Sequence, residues 1–216
     1  MIDVKICGVK NFKILNFLIN HRYPPKFIGF IANYKKSNRY LNLSKLSKLI
    51  NIDRKKVFFV SVMVNPNDKF LEKIKKLKFD YYQLYNVTPK RTKIIKKKYK
   101  VKIITAITVE NINDVNNYKN YENISEIILF DGKGYEKSIG FNHNLLINTP
   151  KNLTKMVAGN IRYNVKLDNL NKIADIVDIS GGLETHKKKN ISKINIFLRN
   201  VNKVNKRKWK LKKEFN

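Results

Sequence analysis

Short runs of Val, Ile, Leu, Phe and Tyr recur along the chain, separated by stretches in which apolar residues return every three or four positions. The runs read as strands at 3–7, 27–31, 57–64, 81–84, 102–107, 124–130, 154–158 and 175–179. Several are continuous rather than alternating, as expected of parallel strands covered on both faces. The stretches between them read as amphipathic helices. Phe12, Leu15, Phe17, Leu18 and Ile19 form an apolar face after the first strand, and Leu43, Leu46, Leu49 and Ile50 do so after the second. Phe70, Leu71, Ile74 and Leu77 follow the third, and Leu167, Leu170 and Ile173 the seventh. Ile191, Ile194, Phe197, Leu198 and Val201 mark the eighth helix, whereas the segment around 143–147 predicts a sixth of only a turn or two.

Eight strand–helix alternations in 216 residues leave little room for anything but one closed unit. An open doubly wound sheet is the competitor but generally has fewer strands. The pattern therefore predicts an α/β chain folded as a single (β/α)8 TIM barrel over 1–202, followed by a basic C-terminal tail at 203–216. In that fold the chemistry sits at the C-terminal ends of the strands.

Charge modifies this picture only slightly. Lys and Arg total 46 against 16 acids, a net charge of +30. Such an excess normally points to nucleic acid or an anionic membrane. Here Lys outnumbers Arg several-fold, and Asn and Ile are also abundant, as a bias acting on the whole composition would produce. Only 203–213 is a basic block. It reads either as a polyanion site with Trp209 stacking on a base, or as a solvated helix end with Trp209 packed on the body; the second is favoured. A small anionic substrate is attracted to this surface either way, and neither a membrane nor nucleic acid is the expected partner.

One cysteine excludes an internal disulfide framework. No apolar run approaches the roughly 18 residues of a membrane span, and the first twenty residues, with Lys5, Lys10 and Lys13, resemble no secretory signal. A cytoplasmic protein, monomer or homodimer, is expected. His21, His143 and His186 are far apart and in no ligand spacing, and no Gly-x-Gly-x-x-Gly follows a strand. Neither a metal nor an organic cofactor is expected.

The strand ends carry the candidate chemistry. Cys7 closes the first strand, Arg39 lies in the loop after the second, Gln83 ends the fourth and Asp131 ends the sixth. Each has two readings. Cys7 is a buried, inert thiol or a thiolate base. Asp131, before Gly132, is a turn former or a general acid with a tuned pKa. Arg39 is one more surface cation or a fork for a carboxylate or phosphate. Gln83 braces a loop or touches ligand. Gly159, and Ser180-Gly181-Gly182, follow the seventh and eighth strands, where many barrels hold phosphate on backbone N–H groups. Glycine there lets the backbone approach the phosphate oxygens.

The ordered set of motifs resembles the phosphoribosylanthranilate isomerase family. It comprises Lys5-Ile6-Cys7-Gly8, Gly29-Phe30, Ser37-Asn38-Arg39-Tyr40, Val62-Met63-Val64-Asn65 and Tyr82-Gln83-Leu84. Leu129-Phe130-Asp131-Gly132-Lys133-Gly134, Ala158-Gly159-Asn160 and Asp178 through Glu184 complete it. The resemblance implies a cofactor-free Amadori rearrangement of N-(5-phosphoribosyl)anthranilate in tryptophan biosynthesis, with Cys7 as general base and Asp131 as general acid. It also implies that Lys5 or Arg39 helps to maintain a thiolate, that Arg39 meets the anthranilate carboxylate, and that Gly159, Ser180, Gly181 and Gly182 hold the phosphate. Tyr85 stands where the family commonly has His, Asn160 replaces a Gly, and Gly181 replaces a Ser. These departures are expected to touch affinity or loop closure before reaction type. The alternatives are another phosphosugar-binding barrel enzyme and a basic nucleic-acid-binding protein.

Overall fold

The computed structural model describes residues 1–133 and 139–214, with backbone alone for 208 and 210–214. Eight parallel strands pair in sequence order, and the first pairs with the eighth to close the barrel. They are β1 (Asp3–Cys7), β2 (Phe27–Ile31), β3 (Phe58–Val64), β4 (Tyr81–Tyr85), β5 (Lys102–Val109), β6 (Ile127–Gly132), β7 (Lys155–Val157) and β8 (Ile176–Ile179). The outer layer is α1 (Phe12–Ile19), α2 (Leu43–Ile50), α3 (Asp68–Lys75), α4 (Pro89–Tyr99), α5 (Ile112–Asn116), α6 (Leu167–Ile173) and α7 (Ile191–Glu214). A 3-10 turn at His143–Leu146 stands in for the helix between β6 and β7, as the short apolar segment there predicts. A two-residue hairpin, β9 (Glu184–Thr185) with β10 (Lys188–Lys189), follows β8.

The alternation of side chains along each strand sorts two cores. Val4, Ile6, Ile28, Phe30, Phe59 and Met63 face outward and pack under the helices. Phe27, Val60, Tyr81, Ile104, Leu129 and Met156 face inward and fill the barrel. Lys5 and Gln83 are also completely buried.

The abundant asparagines have a structural use that composition conceals. Asn11, Asn42 and Asn67 each accept the backbone N–H three residues on, from Ile14, Lys45 and Phe70, and so cap α1, α2 and α3. Asn111 and Asp114 form a reciprocal capping box on α5. Each such cap contributes about 1 kcal/mol.

Several boundaries differ from the sequence reading for identifiable reasons. Strand β6 starts at Ile127, not 124, because the N–H groups of Ile124 and Ser125 turn back to the Tyr121 carbonyl. It runs on to Gly132, so Asp131 lies inside the strand. Phe12, expected on the buried face of α1, is 58% exposed; Ile14, Leu15, Leu18 and Ile19 form that face. No break marks residue 202, because α7 is continuous across it. Val204 is buried, and the Asn205 side chain accepts from the Ile2 N–H at 2.7 Å and donates to the Ile2 carbonyl at 3.0 Å. Trp209, expected to pack on the body, is 53% exposed.

Candidate active site

A cavity of about 450 Å³ opens at the C-terminal ends of the strands. Cys7 on β1 and Asp131 on β6 both line it, with β7 and β8 between them along the shorter arc of the barrel. Two groups distant in sequence thus share one chamber.

The thiol sits in a charged but dry setting. Lys5 lies two residues before Cys7, so the strand's period points both side chains into the barrel. Register pairs Lys5 with Asp178 across β1 and β8, and the Lys5 ammonium donates to Asp178 Oδ2 at 2.7 Å. Burial opposes the lysine charge, yet the Asp178 carboxylate and the thiol leave its pKa raised. Burial also pushes the Cys7 thiol up, while the Lys5 and Lys189 ammonium groups act against that rise. Gly29 on the neighbouring β2 leaves the room they occupy: a Cβ there would lie 2.9 Å from Cys7 Sγ and 3.2 Å from Lys5 Nζ.

Asp131 is held differently. Burial raises its pKa to about 6, further helped by the Asp178 charge and opposed by the Tyr85 hydroxyl and the Gly132 N–H. The Tyr85 hydroxyl donates to Asp131 Oδ2 at 2.9 Å, and Gln83 Nε2 donates to that hydroxyl at 3.2 Å. Gln83, read as bracing a loop or touching ligand, is fully buried and is not part of the cavity wall. Tyr85 lines the cavity in its place.

Arg39 closes its fork on a carboxylate of this chain. Its Nε and Nη2 donate to Glu184 Oε1 and Oε2 at 2.7 and 2.8 Å. Lys189 Nζ reaches the same Oε1 at 2.8 Å. Burial opposes ionisation of Glu184, but the two cations pull its carboxyl down to about 2. The stem of Arg39 lies on Gly8, where a Cβ would come 2.3 Å from Arg39 Cδ.

Gly159, Ser180, Gly181 and Gly182 line one side of the cavity, together with Asn160 and Arg162. The Ser180 hydroxyl donates to the Cys7 carbonyl at 3.0 Å and accepts from Lys189 at 3.2 Å, so its side chain joins the ends of β8 and β1. Gly182 is constrained by the neighbouring loop. A Cβ there would lie 2.0 Å from the Ile161 carbonyl oxygen, in backbone that cannot swing aside. Gly182→Ala should therefore cost about 1–3 kcal/mol of stability through overpacking, read as a lowered urea midpoint at unchanged slope. Gly159 has φ +89°, so it supplies a left-handed turn as well as space. Gly134 of the sixth-loop motif lies outside the described residues.

The model of the family described as N-(5'-phosphoribosyl)anthranilate (PRA) isomerase matches residues 4–200. The chain belongs to this family. Among curated N-(5'-phosphoribosyl)anthranilate isomerases, that of Rhizobium etli is 31% identical over 193 residues, 85% of this chain and 86% of the relative. The Clostridium acetobutylicum isomerase is 30% identical across 94% of this chain and 99% of its own length. The fold agrees as well. The phosphoribosylanthranilate isomerase structure from Thermotoga maritima superposes with a TM-score of 0.82 at 24% identity, covering 93% of this chain and 98% of that one. A phosphoribosylanthranilate isomerase crystallised with reduced 1-(o-carboxyphenylamino)-1-deoxyribulose 5-phosphate gives 0.80 with the same identity and coverage.

Sequence reasoning did not single out Tyr34 or Arg162, which line this cavity, or Lys189, which reaches it through Glu184 and Ser180. Lys187, Lys188 and Lys189 form a run, but only the last has a buried side chain, 3% exposed. Nothing local distinguishes it. The signal lies in the hairpin that turns it back over β8.

Proposed function

We propose that this chain catalyses the Amadori rearrangement of N-(5-phosphoribosyl)anthranilate to 1-(2-carboxyphenylamino)-1-deoxyribulose 5-phosphate, a cytoplasmic step of tryptophan biosynthesis, with Asp131 as general acid and Cys7 as general base. The observation that carries this reading is a thiol and a pKa-raised carboxyl lining one cavity in a member of this family. Asp131 protonates the ribose ring oxygen. The C1–O bond then breaks with its electron pair going to that oxygen, and the nitrogen lone pair closes an iminium. The Cys7 thiolate next removes the proton from C2. The C–H electrons form the C1–C2 double bond and the iminium electrons return to nitrogen, giving an enolamine that tautomerises to the ketone.

The raised pKa suits Asp131 to an acid's role, because a carboxyl titrating at its usual value near 3.8 would carry far less proton at neutral pH. The neighbouring Lys5 charge favours the thiolate. Arg39 offers its fork to the anthranilate carboxylate, a position the Glu184 carboxylate takes in this structure. Backbone N–H groups at Gly159, Gly181 and Gly182 receive the phosphate, with Ser180 holding their loop against β1. Among the described residues no helix is long and apolar enough to cross a membrane.

The purified chain is expected to turn over this substrate with no added metal or nucleotide, and its gene to restore growth without tryptophan to a strain lacking only this step. Failure of both would remove the proposal.

A further inference from the structure

Resting on the acid role given to Asp131, we propose that Tyr85, backed by Gln83, is the positioning residue of that acid: its phenol occupies Oδ2 as a donor, so that the transferable proton is carried on Oδ1. The direction of this relay follows from its members. The Gln83 Nε2 group donates to the phenolic oxygen at 3.2 Å, which leaves the phenolic proton to go to Asp131 Oδ2 at 2.9 Å. Gln83 and Tyr85 stand two residues apart on β4 and so both face the barrel interior, Gln83 fully buried and Tyr85 at the cavity wall. Asp131 comes from β6, and β5 intervenes between the two strands. The relay therefore fixes the acid from across the barrel, independently of its own strand.

Burial and the neighbouring acid charge hold the phenol itself well above its ordinary pKa. It remains a donor through the working pH range and does not act as the acid. Among the described residues, the groups acting on this pair include Asp178 of β8 and Lys5 and Cys7 of β1, together with the Gly132 N–H of β6. Beside them, the Tyr85 hydrogen bond is what favours the ionised form of Asp131 most strongly.

Tyr85→Phe removes the donor and keeps the ring. A donor to the ionised carboxylate depresses its pKa, so its loss raises the pKa of Asp131. The inflection that Asp131 gives to the kcat/KM profile, near 6 in the unmodified enzyme by this assignment, should move to higher pH. The acid also loses its fixed orientation, so plateau kcat should fall about tenfold or more, with KM within about threefold. Gln83→Met leaves Tyr85 and Asp131 in place and should move the same inflection the same way by less. It also serves as the test if the Phe variant does not fold.

Thermal melting of each variant separates a folding defect from a catalytic one. A raised KM with an unmoved profile would make Tyr85 a substrate contact and overturn the proposal, as would a Phe variant with unchanged kcat and inflection. Absence of turnover in the unmodified protein would overturn the acid role itself, which is a different result.

Discussion

Replacing Cys7 by Ala or Asp131 by Asn is expected to lower kcat by about 10²–10⁴-fold in each case, without a matching loss of stability. The two substitutions remove proton-transfer groups and little else. Cys7→Ala deletes one sulfur from the cavity wall, and Asp131→Asn keeps the shape that Tyr85 and the Gly132 N–H hold. Steady-state kinetics with purified variants, alongside thermal melts, checks this directly. Near-normal turnover by a folded variant would show that its residue carries no proton in the reaction. The double variant should lose little more than the worse single one, because acid and base act within one sequence of steps.

Lys5→Met is expected to lose both stability and activity. It leaves the Asp178 carboxylate buried without its cation, a change that typically costs about 3–5 kcal/mol. The partner oxygen, Asp178 Oδ1, already has no hydrogen-bond partner among the described residues, so the carboxylate has little else to hold it. The ion pair follows pH with a definite sign. The Lys5 pKa is raised on folding, so its contribution is complete at neutral pH and disappears only as pH climbs past the ordinary lysine range. The double change Lys5→Met with Asp178→Leu should recover most of the lost stability, because it removes both charges together. It should not recover activity, since the thiol would then lack the ammonium that counters its burial. Urea denaturation and kinetics on the three variants separate these effects.

The strands were legible because each is an apolar run covered on both faces, and six of the eight intervals were legible from the spacing of Leu, Ile and Phe. Two helices were not. Helix α4 buries only Thr92, Ile95 and Tyr99, and the rest of its surface is largely lysine, so no apolar stripe announces it. Helix α5 is five residues long and buries Val115 alone. Cys7 and Asp131 could be found because strand ends are where a barrel places its chemistry, and the family motifs assigned their roles. The depth of Gln83 was not legible. The sequence reading ends the fourth strand at 84, whereas β4 runs on to Tyr85, so the next inward residue toward the C-terminal mouth is Tyr85 and Gln83 lies one layer deeper. The Lys5–Asp178 pair joins residues 173 apart in sequence through the closing register of the barrel, and no local pattern encodes that contact.

The grip of Asn205 on Ile2 ties the opening of the first strand to a residue 203 positions later. During synthesis, the segment bearing the thiol waits for the final helix to leave the ribosome before its base is secured. A chain released early, lacking that helix, would carry every reactive group named above on an unfastened stave.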